Sequence, residues 1–293
     1  MDTDELIDLL TVEPAGPDRF IGHSPADRDR QVYGGQFLAQ ALLAAAATVD
    51  ADRPPHSLHA YFLRTGAAHT PIEYRVERIR DGRTASHRAV IATQDGREVF
   101  RQLVSFQIER PGLTYPPPRP GPAGDPADMM SYRQWVADLS DSDAHPWFAE
   151  NLPIDLRLDD PPPTEPRAPM DAALRVWMRV SDPGGTIDTI DDAMGAAMLA
   201  WLSDKTISDV VLYPHGRSWT DAGSDILSLD HAMWFHEPVR LDQWLLLTHE
   251  PVATRRGRGL ARGDFLTSGG QLVASVAQEA YIVLPDGDQG RSG

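Results

Sequence analysis

Three polar residues stand in rows that otherwise read as apolar, and a carboxylate, an amide and a hydroxyl are together enough to hold and deprotonate one water. Asp204 continues the stripe Met194, Ala197, Met198, Trp201 at helical spacing, so a helix that buries the stripe also buries the carboxylate. Burial raises a carboxyl pKa, and a position near a helix C-terminus adds an unfavourable dipole. Both cost stability, and function often explains such a cost. The competing reading ends the helix at Leu202 and leaves Asp204 solvated in the turn. Gln278 alternates with Leu272, Ala274, Val276, Ala280 and Ile282 along one strand face. An amide there needs a partner or a water, and a satisfied core glutamine fits the same pattern. Ser228 shares a strand face with Ile226, Asp230, Ala232 and Trp234, where a hydroxyl is by itself unremarkable.

Other constellations are weaker. Ser228, Asp230 and His231 have the residue types of a serine-hydrolase triad, but one strand turns His231 to the face opposite the other two, and the chain has no G-x-S-x-G elbow. His56 and His59 fall on opposite faces of a strand without an obvious carboxylate partner, so no metal site is expected. Arg255, Arg256, Arg258 and Arg262 form the one dense basic run. Such a run can steer the phosphates of an anionic ligand; a solvated hairpin turn accounts for Arg255 and Arg256 as well.

The chain of 293 residues has a formal net charge of -16, which disfavours a general nucleic-acid binder. With 41% hydrophobic and 24% charged residues it has the composition of a globular protein. The lack of cysteine rules out disulfides, thiolate metal sites and a cysteine nucleophile. The acidic start MDTDELIDLL has no signal-peptide character, and no apolar run reaches membrane-span length, so a cytoplasmic protein is expected.

The elements that would position these residues come in two similar sets. In the first, Gly34-Gly35 opens an Ala-rich helix over residues 36–49, followed by strands at 57–63, 72–79, 85–93 and 99–108. Asp95-Gly96 marks the last hairpin. In the second, a strand at 174–180 precedes a helix capped by Asp191-Asp192 and running to about Ser203. Strands follow at 226–235, 244–253, 258–267 and 272–282. The pair His59-Ala60 matches His231-Ala232, and Gly96 matches Gly270, at nearly one spacing, which suggests an internal duplication. Between the sets, residues 111–169 are rich in proline, densest at Pro116-Pro117-Pro118 and Pro161-Pro162-Pro163, and read as a surface connector with a short helix around 131–139. The expected organisation is an N-terminal unit over 1–110, the connector over 111–169, and a C-terminal unit over 170–293 carrying the candidate site. Each unit is a helix covered by a curved antiparallel sheet, an α+β double hotdog; a pair of ordinary α+β sandwiches is the alternative architecture.

Five segments in order resemble the acyl-CoA thioesterase II family: Arg30-Gln31-Val32-Tyr33-Gly34-Gly35-Gln36, the run His56 to Gly66, Pro214-His215-Gly216, the run Leu229 to His236, and Ala274 to Glu279. The resemblance implies a double-hotdog hydrolase of acyl-CoA thioesters that needs no cofactor. It implies an Asp, a Thr and a Gln that orient the attacking water, and these fall on Asp204, Ser228 and Gln278. Serine in place of threonine keeps the hydroxyl and frees its rotamer. Backbone N–H groups at a helix start, at Gly34-Gly35 or near Asp192-Ala193, are candidates for the oxyanion. The two glycines suit close helix–sheet approach equally well. Gly35, Arg258 and Arg262 are the expected substrate contacts. A homo-oligomer, dimer or tetramer, is expected. A hotdog enoyl-CoA hydratase and a non-catalytic acyl-CoA-binding protein are the competing functions.

Overall fold

The computed structural model describes residues 1–25, 31–115, 123–137, 152–159, 173–218 and 225–284. The Arg30 of the first family segment, both proline triplets and the end of the helix expected at 131–139 lie outside them. The chain opens with α1 (Thr3–Leu10), closed by a reciprocal cap between Asp2 and Glu5. It continues through β1 (Glu13–Pro14) and β2 (Arg19–Gly22) to the first central helix, α2 (Gly34–Ala46). Four antiparallel strands follow: β3 (Pro55–Phe62), β4 (Ile72–Asp81), β5 (Ala85–Gln94) and β6 (Arg97–Gln107). Next come β7 (Met130–Ser131), α3 (Tyr132–Ala137), β8 (Ile154–Leu158) and β9 (Leu174–Val180). The second central helix, α4 (Asp192–Ser203), precedes β10 (Asp225–Ser228), β11 (Asp230–Phe235), β12 (Leu245–Arg255), β13 (Arg258–Thr267) and β14 (Leu272–Val283).

All strands among the described residues join one sheet in the order β1-β2-β4-β5-β6-β3-β11-β14-β13-β12-β9-β8-β7, with β10 also on β14. From the β3–β11 seam outward the order reads 3-6-5-4 on one side and 11-14-13-12 on the other, as a twofold repeat requires. The repeated His-Ala pairs face each other across that seam, His231 opposite Ala60 and Ala232 opposite His59. The sheet curls its apolar face around α2 and α4, whose Leu38, Leu42, Ala197 and Met198 are fully buried. This is the double hotdog. The helices form from alanine-rich stretches free of proline, and Asp191 caps α4 through a bond from the Met194 N–H at 2.8 Å. Asp95 and Gly96 both have positive φ at the β5–β6 turn, the geometry that Asp-Gly favours.

Two expectations change. The connector does not merely run over the surface: β7 and β8 extend the sheet, and Tyr132, Trp135, Leu156 and Leu158 are buried. Apolar residues at alternating positions gain more from the sheet edge than the proline-rich flanks suggest. The single strand expected at 226–235 is two strands, interrupted at Leu229. Among the described residues no helix is long and apolar enough to cross a membrane.

Candidate active site

The start of α2 meets the end of α4. Asp204 is the C-cap of α4, and the first turn of α2 lies against it. The approach is close. The Tyr33 hydroxyl donates to the Trp201 carbonyl at 3.0 Å, and the two rings pack edge to face. A Cβ on Gly35 would fall 2.6 Å from that same carbonyl, and one on Gly34 would fall 2.5 Å from Asp204 Oδ2. Neither position has room for a side chain. The Gly35 N–H is on the Asp204 side of this junction and favours the ionised carboxyl. The positive end of α2 therefore offsets the negative end of α4, a compensation that the sequence of α4 alone does not reveal. Lys205 lies with its ammonium 3.9 Å from the Tyr33 ring centre and 4.5 Å from that of Trp201.

Burial pushes the Asp204 carboxyl up to about 6, against the pull of the Gln278 amide, the Lys205 charge and the Gly35 N–H. Asp209, in the turn beyond, is pushed well above the usual carboxylate range by burial and by the Asp204 charge. At neutral pH Asp204 is therefore mostly ionised, and its neighbour is held toward the neutral form.

Gln278 gathers the rest. Its side-chain Nε2 lies 3.0 Å from Asp204 Oδ1, 2.8 Å from Ser228 Oγ and 2.7 Å from Ser208 Oγ. Asp204, Ser228 and Gln278 converge, as their expected roles require. Ser208 is the member that sequence reasoning passed over. It stands four residues beyond Asp204 where the chain stays coiled into the turn Asp209–Val211, so an i, i+4 reading past the helix end was the available signal.

The break at Leu229 explains how Ser228 arrives. Ser228 pairs with Ala280 and Ala232 with Ala277, so four steps on β10–β11 match three on β14. That is a bulge of one residue. Asp230 secures it by accepting the Glu279 N–H at 2.8 Å. The bulge also corrects the expectation that His231 faces away from Ser228. His231 lies inside the sheet with Nδ1 against Gln278 Oε1 and Nε2 2.9 Å from Ser203 Oγ. Burial pushes its imidazole down to about 4. The bonds of His231 go to Gln278 and Ser203, and the Asp230 carboxylate serves the backbone, so these residues are not wired as a serine triad.

Of the expected substrate contacts, Gly35 is at the site, packed against Tyr33 and the Trp201 carbonyl. Arg258 and Arg262 are not brought there. They project from β13 to the outer face, whereas Gly259, Ala261 and Gly263 face inward. There Arg258 pairs with Glu279 at 2.9 Å and Arg262 with Glu250 at 2.8 Å. Arg256 and Gly257 form the β12–β13 turn with positive φ, the exposed hairpin tip that was the plainer reading of this run. The start of α4, the other expected oxyanion donor, lies a whole helix of 12 residues from Asp204, roughly 18 Å along its axis.

A desolvated carboxylate, an amide and two hydroxyls gather around one point, inside a double hotdog. Models of the acyl-CoA thioesterase N-terminal and C-terminal domains match residues 23–107 and 114–282. The chain is 33% identical to acyl-coenzyme A thioesterase 8 of Mus musculus, over 94% of this chain and 88% of the mouse protein. It is 34% identical to acyl-CoA thioesterase 2 of Haemophilus influenzae, over 94% of this chain and 96% of that one. Among solved structures, the acyl-CoA thioesterase II TesB2 of Mycobacterium marinum superposes with a TM-score of 0.76 at 32% identity, covering 96% of this chain and 98% of the other. The chain belongs to the acyl-CoA thioesterase II family and is a thioester hydrolase.

Proposed function

We propose that Asp204, Ser228 and Gln278 hold one water against the thioester carbonyl of a fatty acyl-CoA and that Asp204 deprotonates it. The observation that supports this reading best is the Gln278 amide, within hydrogen-bond distance of both the Asp204 carboxylate and the Ser228 hydroxyl. The water oxygen attacks the carbonyl carbon as its proton passes to Asp204. The N-terminal turn of α2, with its positive dipole end, faces the oxygen that gains charge. Collapse of the tetrahedral intermediate breaks the C–S bond. Coenzyme A leaves as a thiolate, a good leaving group that needs little acid assistance, and Asp204 returns its proton to that sulfur. Fatty acid and free thiol are the products, with no covalent enzyme intermediate.

Serine fits the site without the threonine methyl, because Gln278 reaches the hydroxyl directly. We also read the chain as a homo-oligomer, dimer or tetramer: Tyr61, Leu103 and Trp234 stand exposed on the outer face of adjacent strands β3, β6 and β11. Thiol release from a series of saturated acyl-CoA chain lengths tests the chemistry. Asp204→Asn should lower kcat by about a thousandfold or more, and Ser228→Ala and Gln278→Ala by roughly 10–1,000-fold. Ser228→Thr should keep activity within about tenfold, since it retains the hydroxyl. Undiminished turnover in folded Asp204→Asn would remove the assigned base. Wild-type protein that binds acyl-CoA without releasing thiol would favour the binding-protein reading.

A further inference from the structure

His231 is 1% exposed and Ser203 is fully buried, and neither has a place in the chemistry above. They lie behind Gln278 as a short chain: Ser203 Oγ, His231 Nε2, His231 Nδ1, Gln278 Oε1. The far end of the same amide meets Asp204, Ser208 and Ser228. An amide has a donor end and an acceptor end, so whatever fixes one end fixes the other.

A neutral imidazole carries one N–H, and two arrangements satisfy the chain. In the first, Ser203 donates its hydroxyl proton to Nε2, Nδ1–H donates to Gln278 Oε1, and the amide NH2 faces the Asp204 carboxylate. In the second, Ser203 donates to the Ala200 carbonyl, 2.8 Å away, and accepts from Nε2–H. Nδ1 is then bare, the amide NH2 turns toward it, and Gln278 Oε1 points at Asp204. An ionised Asp204 makes that second contact a meeting of two acceptors, tolerable only when the carboxyl is protonated. The charge state of Asp204 and the tautomer of His231 are thus linked through one amide.

We propose that His231, in its Nδ1–H tautomer and backed by Ser203, is a positioning residue that holds the Gln278 amide with its NH2 toward Asp204 and Ser228. The proposal rests on the reading of Asp204 as the base that must be ionised. Without His231 the amide is free to turn, and its turned form stabilises protonated Asp204. The other groups facing Asp204 are the Lys205 ammonium, the Asp209 carboxyl and the Gly35 N–H.

Nitrogen-15 NMR of the wild-type ring at pH 8, assigned by the signal lost in His231→Phe, reads the tautomer without turnover. Protonated Nδ1 with bare Nε2 is expected; protonated Nε2 at that pH overturns the proposal. In kinetics, His231→Phe should lower kcat roughly 10–100-fold with KM within about twofold, as a misplaced catalytic group does. The acid limb of its pH profile should move up by about half a unit or more. Ser203→Ala should act in the same direction more weakly. A folded His231→Phe with wild-type kcat and an unmoved limb would also refute the proposal. If His231→Phe does not fold, Ser203→Ala supplies the assignment by its shifted ring signal, and the wild-type tautomer still decides. Full activity in Asp204→Asn beside an Nδ1–H tautomer would overturn the base assignment and leave the amide orientation standing, so the two failures are distinguishable.

Discussion

Asp204 sits where opposite helix ends meet, and desolvation outweighs the groups that favour its charge. A carboxyl held above its ordinary 3.8 stabilises the fold only while protonated. That contribution is fully present below pH 3.8 and is lost as pH rises through about 6. At pH 8 the ionised group therefore costs about 1–3 kcal/mol. Asp204→Asn should accordingly raise the melting temperature at pH 8, with the gain shrinking toward pH 4, as thermal unfolding at the two pH values would show. A variant destabilised at pH 8 would mean that the charge is not the burden described. Asp204 and Gln278 were legible as polar residues in apolar rows. Ser228 was legible only through the resemblance, because a hydroxyl in a strand breaks no local rule. His231 was misassigned because face parity along a strand fails at a bulge, and nothing in Ser228-Leu229-Asp230 announces one.

At the scale of elements, α2 contributes more by where it starts than by its apolar face. Gly34 and Gly35 let its first turn reach Trp201 and Asp204, and the N–H of Gly35 then becomes available to the carboxyl. Sequence reading left steric and oxyanion-donor roles open for this pair; the close approach to Trp201 and Asp204 is the steric one. Gly35→Ala should cost on the order of 1–3 kcal/mol, since the new methyl meets a backbone carbonyl that cannot turn aside. It should also lower kcat, because parting the helices moves Asp204 away from Gln278. Denaturant unfolding and thiol release measure the two effects, and an alanine variant unchanged in both would show that the close approach is dispensable. Element boundaries were largely readable: the strands at 174–180 and 258–267 match their expected limits. The connector was not, because proline density hides the buried alternation in β8.

For the whole molecule, the doubled fold does not imply a doubled site. The sheet order repeats about the β3–β11 seam, yet the helix C-cap that is Asp204 in α4 is Ala47 in α2. The first half instead supplies the start of α2, and the second half the carboxylate, hydroxyl and amide, so the proposed site needs both. Duplication was visible in the sequence as two landmarks at one spacing, but the joining of the halves at one end of each helix is a long-range arrangement that periodicity does not encode. The account stands on Asp204 acting as a base inside that junction, and the pH dependence of kcat/KM for thiol release tests it most directly. Wild-type activity should be low in acid, rise through a single ionisation near pH 6 and level off above it, and Asp204→Asn should lack both the rise and nearly all of the activity. A folded Asp204→Asn that keeps the same rise would place the ionisation on another group and contradict the account.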